Sequence, residues 1–463
     1  MLKEHLRKKA LEIGNIPPDY ELEIEDYDEK QKTKAYYIWK DRNHPDKTVT
    51  IELGDDGSLL TYSRNDCPSS DMQLSDAELK LTALRFAARH RPLTFMNFIF
   101  QAREERNGCI RFIYTKKVLG RPLPDSGFFV DVTRSGFVVQ FIYYGYKGEA
   151  PVPETFVDRE KVVSHYMSVL TFSLVYDVVN FEKIPRLVYE PILPAYSYPA
   201  GEDDIVPDQQ LCEDRNEPAK PLPAFEHKRE ISLDELMGFT SDMVQTRRRD
   251  LGDEIGTTWR KGSVPERKDL SIESYFESSN KNTMKMKTDK KSGKMTAFKS
   301  FIEHQGPAFY SAEECEAVAL QFLYKLYPRA DEFFKMNPLK TDGRGRFRFH
   351  FSIWHQDIPL RFGAARILVS PVTGLVEAYM APDIDPEQLE KINPVPAVTP
   401  EEAKAAFLSD FHLRLEWQRD FTPSGNEGYK LVYRPVYPPY IDAQKRKRKG
   451  FISQGSFVNE DNL

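Results

Sequence analysis

The stretch Leu187-Val-Tyr189-Glu-Pro191-Ile-Leu-Pro194-Ala-Tyr196 recurs later in the chain as Leu431-Val-Tyr433-Arg-Pro435-Val-Tyr-Pro438-Pro-Tyr440. A long-period repeat decides how everything between its copies is parsed, because each copy must bury the same faces. Upstream, residues 74–92, from Leu74-Ser75-Asp-Ala-Glu78 through Ala83-Leu84-Arg-Phe86 to Pro92, align without a gap on residues 310–328, from Tyr310-Ser311-Ala-Glu-Glu314 through Ala319-Leu320-Gln-Phe322 to Pro328. Both are predicted helices. Ser75 with Glu78, and Ser311 with Glu314, have capping-box spacing, in which hydroxyl and carboxylate satisfy orphan amides of the first turn. Leu79, Ala83 and Phe86, matched by Cys315, Ala319 and Phe322, make an apolar stripe, and proline ends each helix.

Between helix and closing motif the period changes to two. Ile110-Arg111-Phe112-Ile113-Tyr114 aligns with Phe347-Arg348-Phe349-His350-Phe351, and Phe347, Phe349, Phe351 and Ile353 alternate with Arg346, Arg348, His350 and Ser352, a strand with one wet face. Hairpins follow, turning at Gly136 and Gly374, and then second helices that open at Asp158 and at Thr399-Pro400-Glu401-Glu402. Gly57 to Tyr62 and Gly293 to Phe298 repeat at the same spacing before the capped helices. The expected fold class is α+β, a tandem duplication of a unit with helices packed on antiparallel sheets. The first lobe is expected over residues 1–197, an acidic, proline-rich linker over 198–230, the second lobe over 231–440, and a basic, partly disordered tail over 441–463.

Composition agrees with several ordinary cores: of 463 residues 40% are hydrophobic and 29% charged, more than one domain usually holds. A net charge of -6 gives no global field toward nucleic acid or an anionic membrane. Cys67, Cys109, Cys212 and Cys315 are scattered and do not repeat between the halves, so no disulfide framework is expected. The first ten residues are charged throughout and no stretch approaches the roughly 20 apolar residues of a membrane span, which leads to the expectation of a cytoplasmic chain.

The hairpin segments Val130-Asp-Val-Thr-Arg-Ser-Gly136-Phe-Val138 and Ile367-Leu-Val-Ser-Pro-Val-Thr-Gly374-Leu-Val376 resemble the YcdB/YcdC-repeat family of spore-forming bacteria, whose units are similar to PepSY domains. The resemblance implies PepSY-like lobes and a role in binding or inhibiting peptidases, or in the spore. Its motifs belong to the fold and name no catalytic residue.

Candidate sites are correspondingly sparse. The sequence has no G-x-S-x-G, H-E-x-x-H or complete P-loop, and Ser292-Gly293-Lys294 reads as a hairpin turn. His350 and His355 are expected on opposite sides of one strand, so no metal, no cofactor and no catalytic residue is expected. Arg111 and Arg348, each set among aromatics in equivalent strands, could present a guanidinium fork to a partner carboxylate, or be an ordinary solvated strand face. Tyr189, Tyr196, Tyr433 and Tyr440 could form a stiff docking surface with their prolines, or end a strand. Lys445, Arg446, Lys447, Arg448 and Lys449 could touch nucleic acid or anionic lipid, or be a solvated tail. Arg247-Arg248-Arg249 is expected on the polar face of a helix. The leading functional expectation is a noncatalytic protein-interaction module that offers open sheet faces or edges to a protein partner. A hydrolase with a site assembled between the lobes and a structural spore component are the alternatives.

Overall fold

The computed structural model of the chain describes residues 2–27, 34–67, 72–146, 148–178, 184–201, 219–223, 231–421, 427–445, 452–453 and 456–457. The first copy runs α1 (Leu2–Gly14), β1 (Tyr20–Tyr27), β2 (Lys34–Asp41), β3 (Thr48–Gly54), β4 (Leu59–Arg64), α2 (Asp76–His90), β5 (Ile99–Arg106), β6 (Cys109–Thr115), β7 (Lys117–Val118), β8 (Arg121–Pro122), β9 (Gly127–Thr133), β10 (Val138–Gly145), α3 (Arg159–Val169), β11 (Thr171–Val178), β12 (Pro185–Ile192) and β13 (Tyr198–Pro199). After β14 (Lys220–Pro221) the second copy runs α4 (Leu233–Met237), β15 (Met243–Asp250), β16 (Glu254–Lys261), α5 (Ile272–Asn280), β17 (Thr283–Asp289), β18 (Met295–Ser300), α6 (Ala312–Leu326), α7 (Ala330–Phe333), β19 (Phe334–Met336), β20 (Lys340–Thr341), β21 (Phe347–His355), β22 (Ile358–Val369), β23 (Val376–Met380), α8 (Pro400–Leu408), β24 (His412–Phe421), β25 (Glu427–Val436) and β26 (Ile441–Asp442).

Both capped helices form where the sequence puts them. Glu78 accepts from the Ser75 amide at 2.9 Å, and Glu314 from the Ser311 amide at 2.8 Å. Of the expected stripes, Leu79 and Ala83 on α2 and Cys315, Ala319 and Phe322 on α6 are fully buried against one face of a sheet, while Phe86 is half-buried and Ala87 is the third buried residue of α2. The first sheet has the order β1-β2-β3-β4-β10-β9-β6-β5, and the path β15-β16-β17-β18-β23-β22-β21-β19 of the second repeats it strand for strand. Gly136 and Gly374, at φ of 93° and 68°, make the equivalent β9–β10 and β22–β23 turns, a conformation that costs glycine no Cβ clash. The copies differ in their connections, since β7 and β8 belong to the first and α7 and β20 to the second, and a longer insertion precedes β17. In the second, α5 and its flanks replace the short β2–β3 connection and reach the first sheet, where Leu270 accepts from the Glu25 amide at 2.8 Å and Asp26 from the Ile272 amide at 3.0 Å.

The closing hairpins are exchanged between the copies. First-copy β11 pairs in parallel with second-copy β22 at Tyr176 and Leu360, and β12 pairs with β26. In return, second-copy β25 pairs with first-copy β13, and Trp417 of β24 donates its indole N–H to the Val118 carbonyl of β7 at 3.0 Å. The paired tyrosines record the symmetry of this exchange: Tyr189 donates to the Val398 carbonyl just before α8 at 2.8 Å, and Tyr433 donates to the Val157 carbonyl just before α3 at 3.1 Å. Tyr176, Leu187 and Tyr189 accordingly lie in the core of the second lobe, while Val162, Tyr166, Phe407 and Trp417 share a core built from both copies.

Two expected boundaries are corrected. The second lobe does not end at 440: Ile441 and Ala443 are fully buried, and the Ala443 amide donates to the Leu187 carbonyl at 2.9 Å. Nor is 198–230 a linker throughout, since Tyr198 and Ala200 are buried beside β25 and Lys220–Pro221 add a strand to β19. Apolar side chains at the linker's ends and free backbone amides at the sheet edges explain both. The expectation of an extended, mobile linker over 202–218 and 224–230 lies outside the described residues.

Candidate anion-binding face

Helices cover one face of the second sheet and leave the other open and concave. The alternation Met284-Lys285-Met286-Lys287 on β17 sends the Met284 side chain into the core and its lysines to the opposite face, and the same period on β21 buries Phe349 and exposes Arg348. Side chains of this face enclose a cavity of about 1280 Å³, lined by nine lysines and arginines against two carboxylates, Asp342 and Glu377. Both carboxylates are taken by a single cation: Arg346 lies 2.6 Å from Asp342 and 2.8 Å from Glu377. Lys287 pairs with Glu254 at 3.0 Å. Among the described residues no carboxylate lies within ion-pair distance of Arg247, Arg249, Lys285, Lys299, Arg348 or Arg366.

The cations are arranged in ladder rungs. Arg247 opposes Thr258, which opposes Lys285, which opposes Lys299, and the rung continues through Ala378 and Leu368 to Arg348. At about 4.8 Å between strands the rung spans roughly 29 Å. Lys285 and Lys299 stand directly opposite one another with the Phe301 ring 5.2 and 4.9 Å away, and Lys285 donates to Asn280 at 2.6 Å. Burial, and then the neighbouring Arg247, Arg260 and Lys299, pull the Lys285 ammonium below the usual lysine range. His350, on the same face, is likewise lowered, first by burial and then by Arg366 and Lys340.

The first sheet shows what the same face looks like without this charge. Strand pairing places Ile24, Thr50 and Ser63 at the positions of Arg247, Lys285 and Lys299, and Asp26, Glu52 and Phe129 at those of Arg249, Lys287 and Arg366. Only Arg111 and Arg348 are cations in both copies. Arg111 is neutralised by a bidentate contact to Asp131 at 2.7 and 2.8 Å and lies 3.7 Å over Phe129, whereas Leu368 holds the position of Asp131 in the second copy.

Of the sequence-derived candidates, Arg348 therefore joins the cavity and Arg111 is satisfied within its own sheet. The tyrosine docking surface does not form. Tyr189, Tyr433 and Tyr440 are buried, because the segment around them is the exchanged hairpin, and only Tyr196 is exposed. Lys445 is exposed beyond β26, and Arg446, Lys447, Arg448 and Lys449 lie outside the described residues. Arg247–Arg249 are strand residues, not helical: on β15, Arg247 and Arg249 line the cavity while Arg248 alternates away. Consecutive cations fit neither period alone, and the edge position decides the outcome. His350 and His355 do take opposite sides, the latter stacking on Phe333 at 5.9 Å. Sequence reasoning missed Arg249, Lys285, Lys299 and Arg366 as a group because they come from four strands. The Met-Lys-Met-Lys alternation was the available signal.

The pattern that defines the YcdB, YcdC repeated domain matches residues 3–145 and 226–383. Bacillus subtilis YcdC is 58% identical over 97% of this chain and 100% of its own length. Bacillus subtilis YcdB is 37% identical over 95% of this chain and 96% of its own. Among solved structures, the Bacillus megaterium YpeB C-terminal domain aligns with 41% of this chain and 86% of that chain, at 13% identity and a TM-score of 0.27. With the repeat matched in both halves and two relatives aligned nearly end to end, this chain belongs to the YcdB, YcdC repeated-domain family.

Proposed function

We propose that the chain is a noncatalytic interaction protein whose second lobe holds an acidic polypeptide segment against the open basic face of its sheet. The observation that carries this reading is the set of cations around the cavity that the first lobe replaces with neutral or acidic residues on the same strand framework. Lys285 opposite Lys299 costs stability, since like charges directly across a ladder repel, and a bound carboxylate reverses that sign. The floor also carries Leu251, Leu339 and Met380, which suits a peptide that alternates acidic and apolar side chains. A concave floor is a poor seat for a flat bilayer, and the net charge of -6 repels any polyanion long enough to leave the cavity. The PepSY-like character of the repeats makes a peptidase, or a spore protein, a sensible first partner to try.

The test is titration of the full chain with a labelled peptide of alternating Glu and Leu. Binding is expected to weaken with added salt, and to fall at least tenfold when Arg247, Lys285 and Lys299 are changed to the first-lobe residues Ile, Thr and Ser. Duplex nucleic acid or anionic vesicles binding more tightly than the peptide, or peptide binding indifferent to the triple change, would overturn the reading.

A further inference from the structure

The two sheets differ at one edge. In the second, β14 covers β19: Lys220 pairs with Met336 and Pro221 with Lys335, antiparallel. Leu222, next in the chain, is 7% exposed in the core of that lobe, and Tyr324 donates to the Pro223 carbonyl at 2.8 Å. The edge is thus closed by five residues in extended form, Ala219-Lys-Pro-Leu-Pro223, with prolines that limit pairing to a short ladder. In the first sheet the equivalent strand, β5, is terminal, and among the described residues nothing pairs with its outer side.

The uncovered edge is also the more apolar at its start, before the charged run Arg103–Arg106, with Lys80 3.9 Å over the Phe100 ring. Carrying the gapless alignment of the helices forward sets Ile99 and Phe100 at the places of Lys335 and Met336, and Leu93 and Met96 at those of Arg329 and Glu332. Arg329 and Glu332 form an ion pair at 2.6 Å. Leu93 is 91% exposed, Met96 80%, Ile99 50% and Phe100 39%. Ala88 replaces Tyr324, so the hydroxyl that holds the covering segment in the second lobe has no counterpart in the first. A covered edge with a polar surround, beside an equivalent open edge with an apolar one, is the difference expected when the second awaits a strand from elsewhere.

We infer that β5 is a strand-addition site for a partner protein's extended segment of the same kind as residues 219–223: a short antiparallel strand flanked by prolines, with one apolar side chain that packs over Leu93, Met96 and Phe100. Main-chain hydrogen bonds to β5 supply affinity and the apolar side chain supplies selectivity. This site is separate from the basic face and stands on its own evidence.

The experiment uses a fluorescent peptide of residues 218–225, Pro-Ala-Lys-Pro-Leu-Pro-Ala-Phe, and anisotropy with the full chain. The peptide carries a lysine and no carboxylate side chain, so the basic face does not attract it, and its failure would leave the acidic-peptide reading untouched. Saturable binding is expected, with at least a tenfold loss on Met96→Glu with Phe100→Glu, and a similar loss when the peptide's leucine is changed to aspartate. Both substituted side chains are exposed, so melting temperature should hold, and Phe276→Glu, an equally exposed change on α5, should leave binding intact. Three results would overturn the inference: no saturable binding, binding that survives the double substitution, or concentration-dependent self-association abolished by Phe100→Glu, which would give this edge to a second copy of the chain.

Discussion

Ser63 in the first sheet and Lys299 in the second occupy the same rung of the same strand, and so do Glu52 and Lys287. On the opposite face the copies agree: Tyr62 and Phe298 are both buried, as are Phe141 and Tyr379 on the neighbouring β10 and β23. The copies therefore share what the fold requires, the helix-facing layer, the caps and the turning glycines, and differ where the sheet meets solvent. A duplicated scaffold makes the requirement of the fold visible by subtraction, and what remains on the second sheet is an excess of unpaired positive charge.

The largest effect expected tests how far each copy depends on the other. Ending the chain after Tyr440 removes β26, buried Ile441 and the hydrogen bond from Ala443 to Leu187. At about 2 kcal/mol for the isoleucine and about 1 kcal/mol for the hydrogen bond, the loss should approach 3 kcal/mol in urea denaturation. Ending it after Lys445 keeps β26, Ile441 and that hydrogen bond, and should cost distinctly less than the cut after Tyr440. Equal stabilities of the two truncated forms would break the exchanged-hairpin account.

A smaller effect separates the helices. α2 ends in His90, its ring tilted against Phe86 at 4.5 Å between centroids, where α6 has Leu326. Burial, and then Arg89 and Lys9, push the His90 imidazole down to about 4. A histidine whose folded value lies below its unfolded one binds its proton more readily when unfolded, so stability is complete above about pH 6.5 and declines as pH falls toward 4. The decline from this residue should be about 2–3 kcal/mol, and His90→Leu, which makes the first helix match the second, should flatten that part of the pH profile. An unchanged profile would count against a buried neutral imidazole.

The smallest effect sharpens the contrast of charge. Lys299→Ser, the first-lobe residue, should raise stability by about 0.2–1 kcal/mol by relieving repulsion from Lys285. Thermal melts at low and high salt check this, since screening should shrink the gain. Destabilisation would mean that the lysine pair is part of the packing rather than a cost held for a ligand.

The duplication, both capping boxes, the α3 and α8 starts and the alternation of β21 were legible in sequence, because each is set by residues within a few positions of one another. The exchange of hairpins was not. Residues 187–196 and 431–440 are so alike that each suits either copy's strands, and nothing local says which copy receives it. For the same reason the tyrosines could be read as a docking surface or as a strand end, whereas the Tyr189 and Tyr433 hydroxyls serve equivalent hydrogen bonds to the Val398 and Val157 carbonyls. The candidate site was legible only at Arg348. Its other cations are spread from Arg247 to Arg366, and only the strand order of the folded sheet brings them to one face.

The exchange also sets a timetable for synthesis. β11 finds its partner strand only when residues near Leu360 have been made, roughly 180 residues after Tyr176. At about 5–20 residues per second the first hairpin waits on the order of 10–35 s after leaving the ribosome. For that interval Tyr176, Leu187 and Tyr189 have no core to enter. A nascent chain arrested just before β22 should thus present these side chains to chaperones, and one arrested after Lys445 should not.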